Sequence, residues 1–184
     1  MNAAARWISI VAHPFVMTGV VIAAATMRHS QGQAGQSLLV GAAIIVPLAV
    51  LMVSQVRRGR WMNVDASRPS ERPLLYAVAL GAMAVTVGSL YMLVPGSFLL
   101  RGMSVMTMFM VVAGVLTRWV KVSMHVAFVA LAATTLSLIG SWSGYVLIGV
   151  VPLMCWSRLA LARHRPHELV AGCFLGVVTG ALLV

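Results

Sequence analysis

The chain has 184 residues, 61% of them apolar and 9% charged, with 13 Lys and Arg against 3 Asp and Glu. An average soluble domain carries roughly 25% charged residues, so there is too little polar side chain here to cover a globule in water. A soluble domain, a disordered chain, a collagen and a disulfide scaffold are excluded; Cys155 and Cys173 lie inside apolar runs and read as packing residues.

About 20 apolar residues cross the ~30 Å hydrocarbon layer of a bilayer. Breaks at charges, Gly and Pro divide the sequence into spans at 7–26, 37–56, 74–94, 98–117, 122–139, 143–157 and 167–184. The pattern predicts an all-α, polytopic transmembrane helix bundle of six or seven helices, a single integral membrane domain over 1–184. The first span has no small-residue cleavage site and reads as a retained helix. The span at 143–157 is short and holds Pro152. Trp7, Trp61, Trp119, Trp142 and Trp156 fall near span ends, where an amphipathic indole is favoured.

With alternating spans, the N-terminus and the loops 57–73, 118–121 and 158–166 share one membrane face. That face holds 11 of the Lys and Arg residues, and the other holds only Arg28 and Arg101. All three acids, Asp65, Glu71 and Glu168, and three of the histidines, His125, His164 and His167, also belong to the first face. The positive-inside rule accounts for loop arginines without any function. It does not account for the acids and histidines gathered with them.

In chain order, His13 comes first, preceding Pro14 inside the first span; it reads as a packed histidine at a proline kink, or as a residue lining a site from below. The loop from Arg57 to Pro73 has five arginines and two acids, and its Arg68-Pro69 and Arg72-Pro73 pairs either clamp a phosphate or anchor the loop at the headgroups. Lys121-Val122-Ser123-Met124-His125 opens the fifth span. An ionisable side chain there is a functional candidate, and a helix N-terminus with a serine hydroxyl suits an anion, the alternative being a His bonded to a neighbouring helix.

The segment from Ser157 to Glu168 is the most informative. In a helix His164 and Glu168 would be i and i+4, so the carboxylate can accept the imidazole N–H, fix its tautomer and leave the other ring nitrogen as an oriented nucleophile. Arg158 offers a planar fork of donors for phosphate oxygens. Pro166 fits best in the first turn of the last span, with His164 just outside it. The bland alternative is a basic juxtamembrane linker.

These three elements, in this order, resemble the type 2 phosphatidic acid phosphatase superfamily, recognised by K-x6-R-P, P-S-G-H and S-R-x5-H-x3-D. Here Ser157-Arg158, five residues, His164, three residues and Glu168 match the third motif, with Glu for Asp. The second matches at Ser123 and His125, with Val122 for Pro and Met124 for Gly. The Lys of the first is replaced by Asp65 seven residues before Arg72, or by Trp61 seven before Arg68. The resemblance covers roughly 57–184, the first two spans adding only topology. It implies His164 as the nucleophile that forms a phosphohistidine, Glu168 as its orienting partner and His125 as general acid on the departing oxygen. It also implies Arg158, Ser123 and Arg68 or Arg72 as holders of the phosphoryl oxygens. Asp65 would orient an arginine or contact a substrate headgroup, and Arg60 or Lys121 would stand in for the missing Lys. The reaction needs no metal and no cofactor.

The function expected is therefore a membrane lipid phosphate or (poly)prenyl diphosphate phosphatase. Phosphotransfer on the same site and a non-catalytic anionic-lipid-binding membrane protein are the alternatives. A His164/His167/Glu168 metal cluster is disturbed by Pro166, and three acids are too few for a magnesium-dependent prenyl diphosphate enzyme. No nucleotide loop appears, and no nucleic-acid partner is expected. Gly172, Gly176 and Gly180 in the last span read as core packing, with a homodimer as the lesser option. Setting aside Arg68, Arg72 and Arg158 as substrate ligands leaves eight cationic residues against two, which places the active face on the cytoplasmic side of the cell (inner) membrane.

Overall fold

The structure is a computed structural model that describes residues 3–29, 34–64, 66 and 68–184. It is all-helical: α1 (Ala3–Val11), α2 (Pro14–His29), α3 (Ala34–Arg57), α4 (Arg72–Leu93), α5 (Phe98–Leu116), α6 (Met124–Leu138), α7 (Trp142–Ala160) and α8 (Pro166–Leu182). A 3₁₀ turn, Pro69–Glu71, precedes α4. Among the described residues no strand is present. The helices form two compact units, Met1–Arg28 with Arg118–Val184, and His29–Thr117.

Among the described residues, five stretches are long and apolar enough to cross a bilayer: Ala3–Arg28, Gly35–Arg57, Arg72–Leu93, Phe98–Leu116 and Trp142–Ala160. Large apolar side chains such as Leu39, Val85, Met92, Leu93 and Phe174 are more than two-thirds exposed. Exposure of this kind on helix after helix is incompatible with water and natural in lipid. The chain is a multi-pass membrane protein.

Four spans differ from the sequence expectation. The first is two helices, because Pro14 has no N–H to donate and its ring collides with the preceding turn, so α1 ends at Val11 and Pro14 starts α2 at the position where proline is tolerated. The sixth is longer than expected: α7 runs for 19 residues through Pro152. The fifth and seventh, α6 and α8, are the short ones, at 15 and 17 residues. At 1.5 Å per residue α6 is only about 22 Å long. Trp7, Trp119 and Trp142 are exposed, as interfacial indoles should be, whereas Trp61 is 6% exposed.

In the first unit α6 packs against α7 and α8, and α7 packs against α1. Every residue of α6 from His125 to Ala133 is buried. The close approach of α8 to α6 depends on the glycine stripe. A Cβ on Gly172 would sit 2.6 Å from the Ser123 carbonyl oxygen, one on Gly176 would strike the Ala127 carbonyl, and one on Gly180 would lie 2.7 Å from the Leu131 carbonyl. The three glycines of α8 thus face three carbonyls spaced four residues apart along α6. The stripe is used inside the chain. Thr135 Oγ1 adds a buried hydrogen bond to the Gly180 carbonyl, 3.1 Å.

The second unit packs α4 against α3 and α5. Tyr76, on α4, lies against Gly114 of α5, and its hydroxyl is 3.2 Å from Thr117 Oγ1.

Candidate functional site

The turn between α7 and α8 places the central pair of side chains. After Ala160 the chain leaves the helix through Ala162, which takes a left-handed conformation at φ 50°. The Ala162 N–H donates to the Leu159 carbonyl (2.9 Å) and the Arg163 N–H to the Arg158 carbonyl (3.0 Å), the two bonds of a Schellman motif. Glycine is the usual residue at that position, and a side chain there costs roughly 1–2 kcal/mol. Ala162→Gly, after the added chain entropy of glycine, is expected to stabilise the protein by about 0.5–1 kcal/mol. That is a rise of about 2 °C in Tm, read by thermal unfolding in detergent; an unchanged or lower Tm would show that the turn carries no strain.

The chain then enters α8 with Arg165 as N-cap, Pro166 at the first helical position and Glu168 at the third. From there the Glu168 carboxylate folds back over the N-terminus, accepting the Arg165 N–H at 3.2 Å and contacting His164 Nδ1 at 2.7 Å, both through Oε2. His164 lies outside the helix, so helical i, i+4 register does not make this contact. The capping position of Glu168 does. An ionised carboxylate only accepts, so His164 carries its proton on Nδ1 and presents Nε2 as a lone pair. Its side chain is 3% exposed and that of Glu168 12%.

The head of α6 is tied to this turn at two points. Lys121 Nζ donates to the Arg163 carbonyl at 2.9 Å, and the Ser123 N–H donates to the Glu168 carbonyl at 3.2 Å. Ser123 is the N-cap of α6, yet its hydroxyl makes no capping bond. Ser123 is fully buried and His125 is 5% exposed. Among the described residues, Ser123 Oγ and His125 Nε2 have no hydrogen-bond partner. A buried polar atom left unsatisfied costs about 1–3 kcal/mol, and native folds rarely tolerate one without a use for it. Two of them within the first turn of one helix, where backbone N–H groups are also oriented outward, make a natural anion receptor.

Arg158, in the last turn of α7, is 3% exposed. Its Nη1 donates to Ser9 Oγ on α1 at 2.7 Å, while the neighbouring Ser157 Oγ donates to the Ala5 carbonyl at 2.6 Å. The Arg158, His13, His164 and Arg163 side chains all lie within electrostatic range of His125. The first unit therefore brings together His125, His164, Glu168, Arg158 and Ser123. It adds Ser9, and His13, which the sequence left between a packed histidine at a proline kink and a residue lining a site from below. Ser9 carries no sequence signal: it is a lone serine in an apolar helix, and its partner is 149 residues away.

Arg68 and Arg72 belong to the second unit. Arg72 is buried at the start of α4, and Arg68 is exposed, with its N–H donating to Glu71 Oε2 at 3.0 Å. Glu71, 4% exposed, also accepts the Met62 N–H on Oε1 at 3.0 Å, so this acid organises the loop from within. Asp65 lies outside the described residues. Among the described residues no group of three or more His, Cys, Asp or Glu side chains is placed to hold a metal ion, and His167 is exposed while the His164 imidazole is buried.

Compared with protein-family models, curated proteins and solved structures, the chain has no match.

Proposed function

We infer that the protein is a membrane lipid phosphatase working through a phosphohistidine. The observation that supports this best is the 2.7 Å His164–Glu168 contact, in the same unit as an α6 N-terminus whose Ser123 and His125 hold buried polar atoms without partners. Phosphoryl transfer needs little covalent chemistry from a protein; it needs an aligned nucleophile, positive charge on the equatorial oxygens and a proton for the leaving oxygen. Here His164 Nε2 attacks phosphorus as the bond from phosphorus to the lipid oxygen breaks. His125 gives its proton to that oxygen, so a lipid alcohol, or a lipid monophosphate from a diphosphate, leaves. His125 then takes a proton from water, whose oxygen attacks phosphorus as the P–N bond breaks, releasing phosphate and restoring both imidazoles. Ser123, the α6 N-terminus and Arg158 hold the oxygens throughout. Glu168 keeps the His164 tautomer and balances the charge that the ring gains.

Phosphate release from a panel of lipid phosphates and polyprenyl diphosphates, with chelator present, tests the reading. The expected result is chelator-insensitive release with an acid-labile, base-stable phosphoenzyme. Release abolished by chelator would instead favour a metal enzyme, and no release from any substrate would leave the anionic-lipid binder. The charge asymmetry of eight against two supports a cytoplasmic site. A cysteine placed in the 57–73 loop should then resist impermeant thiol reagents on intact cells, and labelling from outside would reverse the orientation.

A further inference from the structure

His13 sits where α1 gives way to α2, and three features set its ring. It is the residue before Pro14, so it is the N-cap of α2, and its Nδ1 accepts the Phe15 N–H at 3.2 Å. A backbone N–H can only donate, so Nδ1 carries no proton and the ring is held in the Nε2–H tautomer. The ring also packs edge-on against Phe15, with centroids 4.9 Å apart. Finally, it meets His125 edge-on, with centroids 5.2 Å apart and the planes at 87°. The capping bond alone is an ordinary structural use of a histidine. The contact with His125 is not, because His125 is nearly fully buried, has an unpartnered Nε2 and belongs to α6, a helix far along the chain from His13.

We propose that His13 is a third imidazole of the site, a positioning residue that holds the ring of His125 at the angle needed to hand its proton to the departing lipid oxygen. The inference rests on the phosphatase reading above. A buried imidazole at the first turn of α6 can rotate about its Cα–Cβ and Cβ–Cγ bonds, and no hydrogen bond to Nε2 restrains it. The edge-on ring of His13 supplies the restraint, and the Phe15 N–H keeps that ring in place. The N-terminal helices are then part of the catalytic unit: Ser9 holds Arg158, Ala5 holds Ser157, and His13 holds His125.

Two variants separate the capping role from the ring contact. His13→Asn keeps an acceptor at the N-cap and removes the ring; His13→Phe keeps a ring and removes the acceptor. Each is assayed in detergent micelles on a short-chain phosphatidic acid and on p-nitrophenyl phosphate, whose phenolate leaves without an acid, with Tm measured alongside. His13→Asn should lower kcat on the lipid phosphate about tenfold, with KM within about twofold, and spare the pre-steady-state burst of p-nitrophenol, the one step that needs no proton from His125. His13→Phe should recover most of that kcat despite a lower Tm. Wild-type kcat in His13→Asn, or a burst slowed as much as lipid turnover in both variants, would overturn the inference while leaving the phosphatase reading intact. A wild-type protein inert on every lipid phosphate would overturn the phosphatase reading, and this inference with it.

Discussion

His164→Ala is expected to lower turnover of a lipid phosphate by about 10³-fold or more, because it removes the atom that would receive the phosphoryl group. Phosphate binding should survive, since Ser123, the α6 N-terminus and Arg158 are untouched; the loss should fall on kcat with little change in KM. Glu168→Gln tests the same pair from the other side. An amide can either donate to or accept from Nδ1, so it no longer dictates which nitrogen carries the proton, and it cannot balance the charge that builds on the ring. A loss of about 10²-fold or more in kcat is expected. Glu168 also accepts the Arg165 N–H, so this variant should lose about 1 kcal/mol of stability at the N-terminus of α8, which His164→Ala should not. Phosphate release together with Tm for both variants separates the two effects. Turnover in His164→Ala within tenfold of wild type would remove the nucleophile from the proposal.

The second large effect is on the fold. Gly176→Leu would drive a side chain into the Ala127 carbonyl of α6, a backbone atom that cannot rotate away. The helices would have to separate, with a cost of about 3 kcal/mol or more and a fall of about 10 °C in Tm. Gly149→Leu, on α7 and with nothing within 4 Å of its added Cβ, is the matched control and should move Tm by less than about 2 °C. Equal shifts in the two variants would show that the α6–α8 approach is not what the stripe provides. Gly172 connects this packing to the site, because its nearest neighbour is the carbonyl of Ser123, whose N–H is bonded to Glu168. Gly172→Ala should therefore perturb Ser123 and His125 directly, lowering turnover more than its effect on Tm would suggest.

The helices and most of their ends follow from the amino-acid sequence, because length, apolarity and the placement of Pro, Gly and charge are local properties that the bilayer dimension converts into spans. So does the pairing of His164 with Glu168, although for a different reason than helical register: Pro166 forces a helix start, and Glu168 at the third position then folds back. The glycine stripe announced a close helix contact without saying with what.

The remaining features come from packing between distant parts of the chain. Whether Trp61 is exposed or buried, and whether Glu71 is a surface acid or an internal acceptor, depends on how the loop before α4 closes on itself. The left-handed turn at Ala162 is invisible in a residue that ordinarily favours helix. Above all, the N-terminal helices meet the far end of the chain through hydrogen bonds spanning 149 and 152 residues. Pairings at that separation leave no period or spacing in the sequence, because a serine or histidine in an apolar helix looks the same whether it packs in place or reaches a site. Only the packing of α1 on α7, and of the His13 ring on His125, shows which of the two it does.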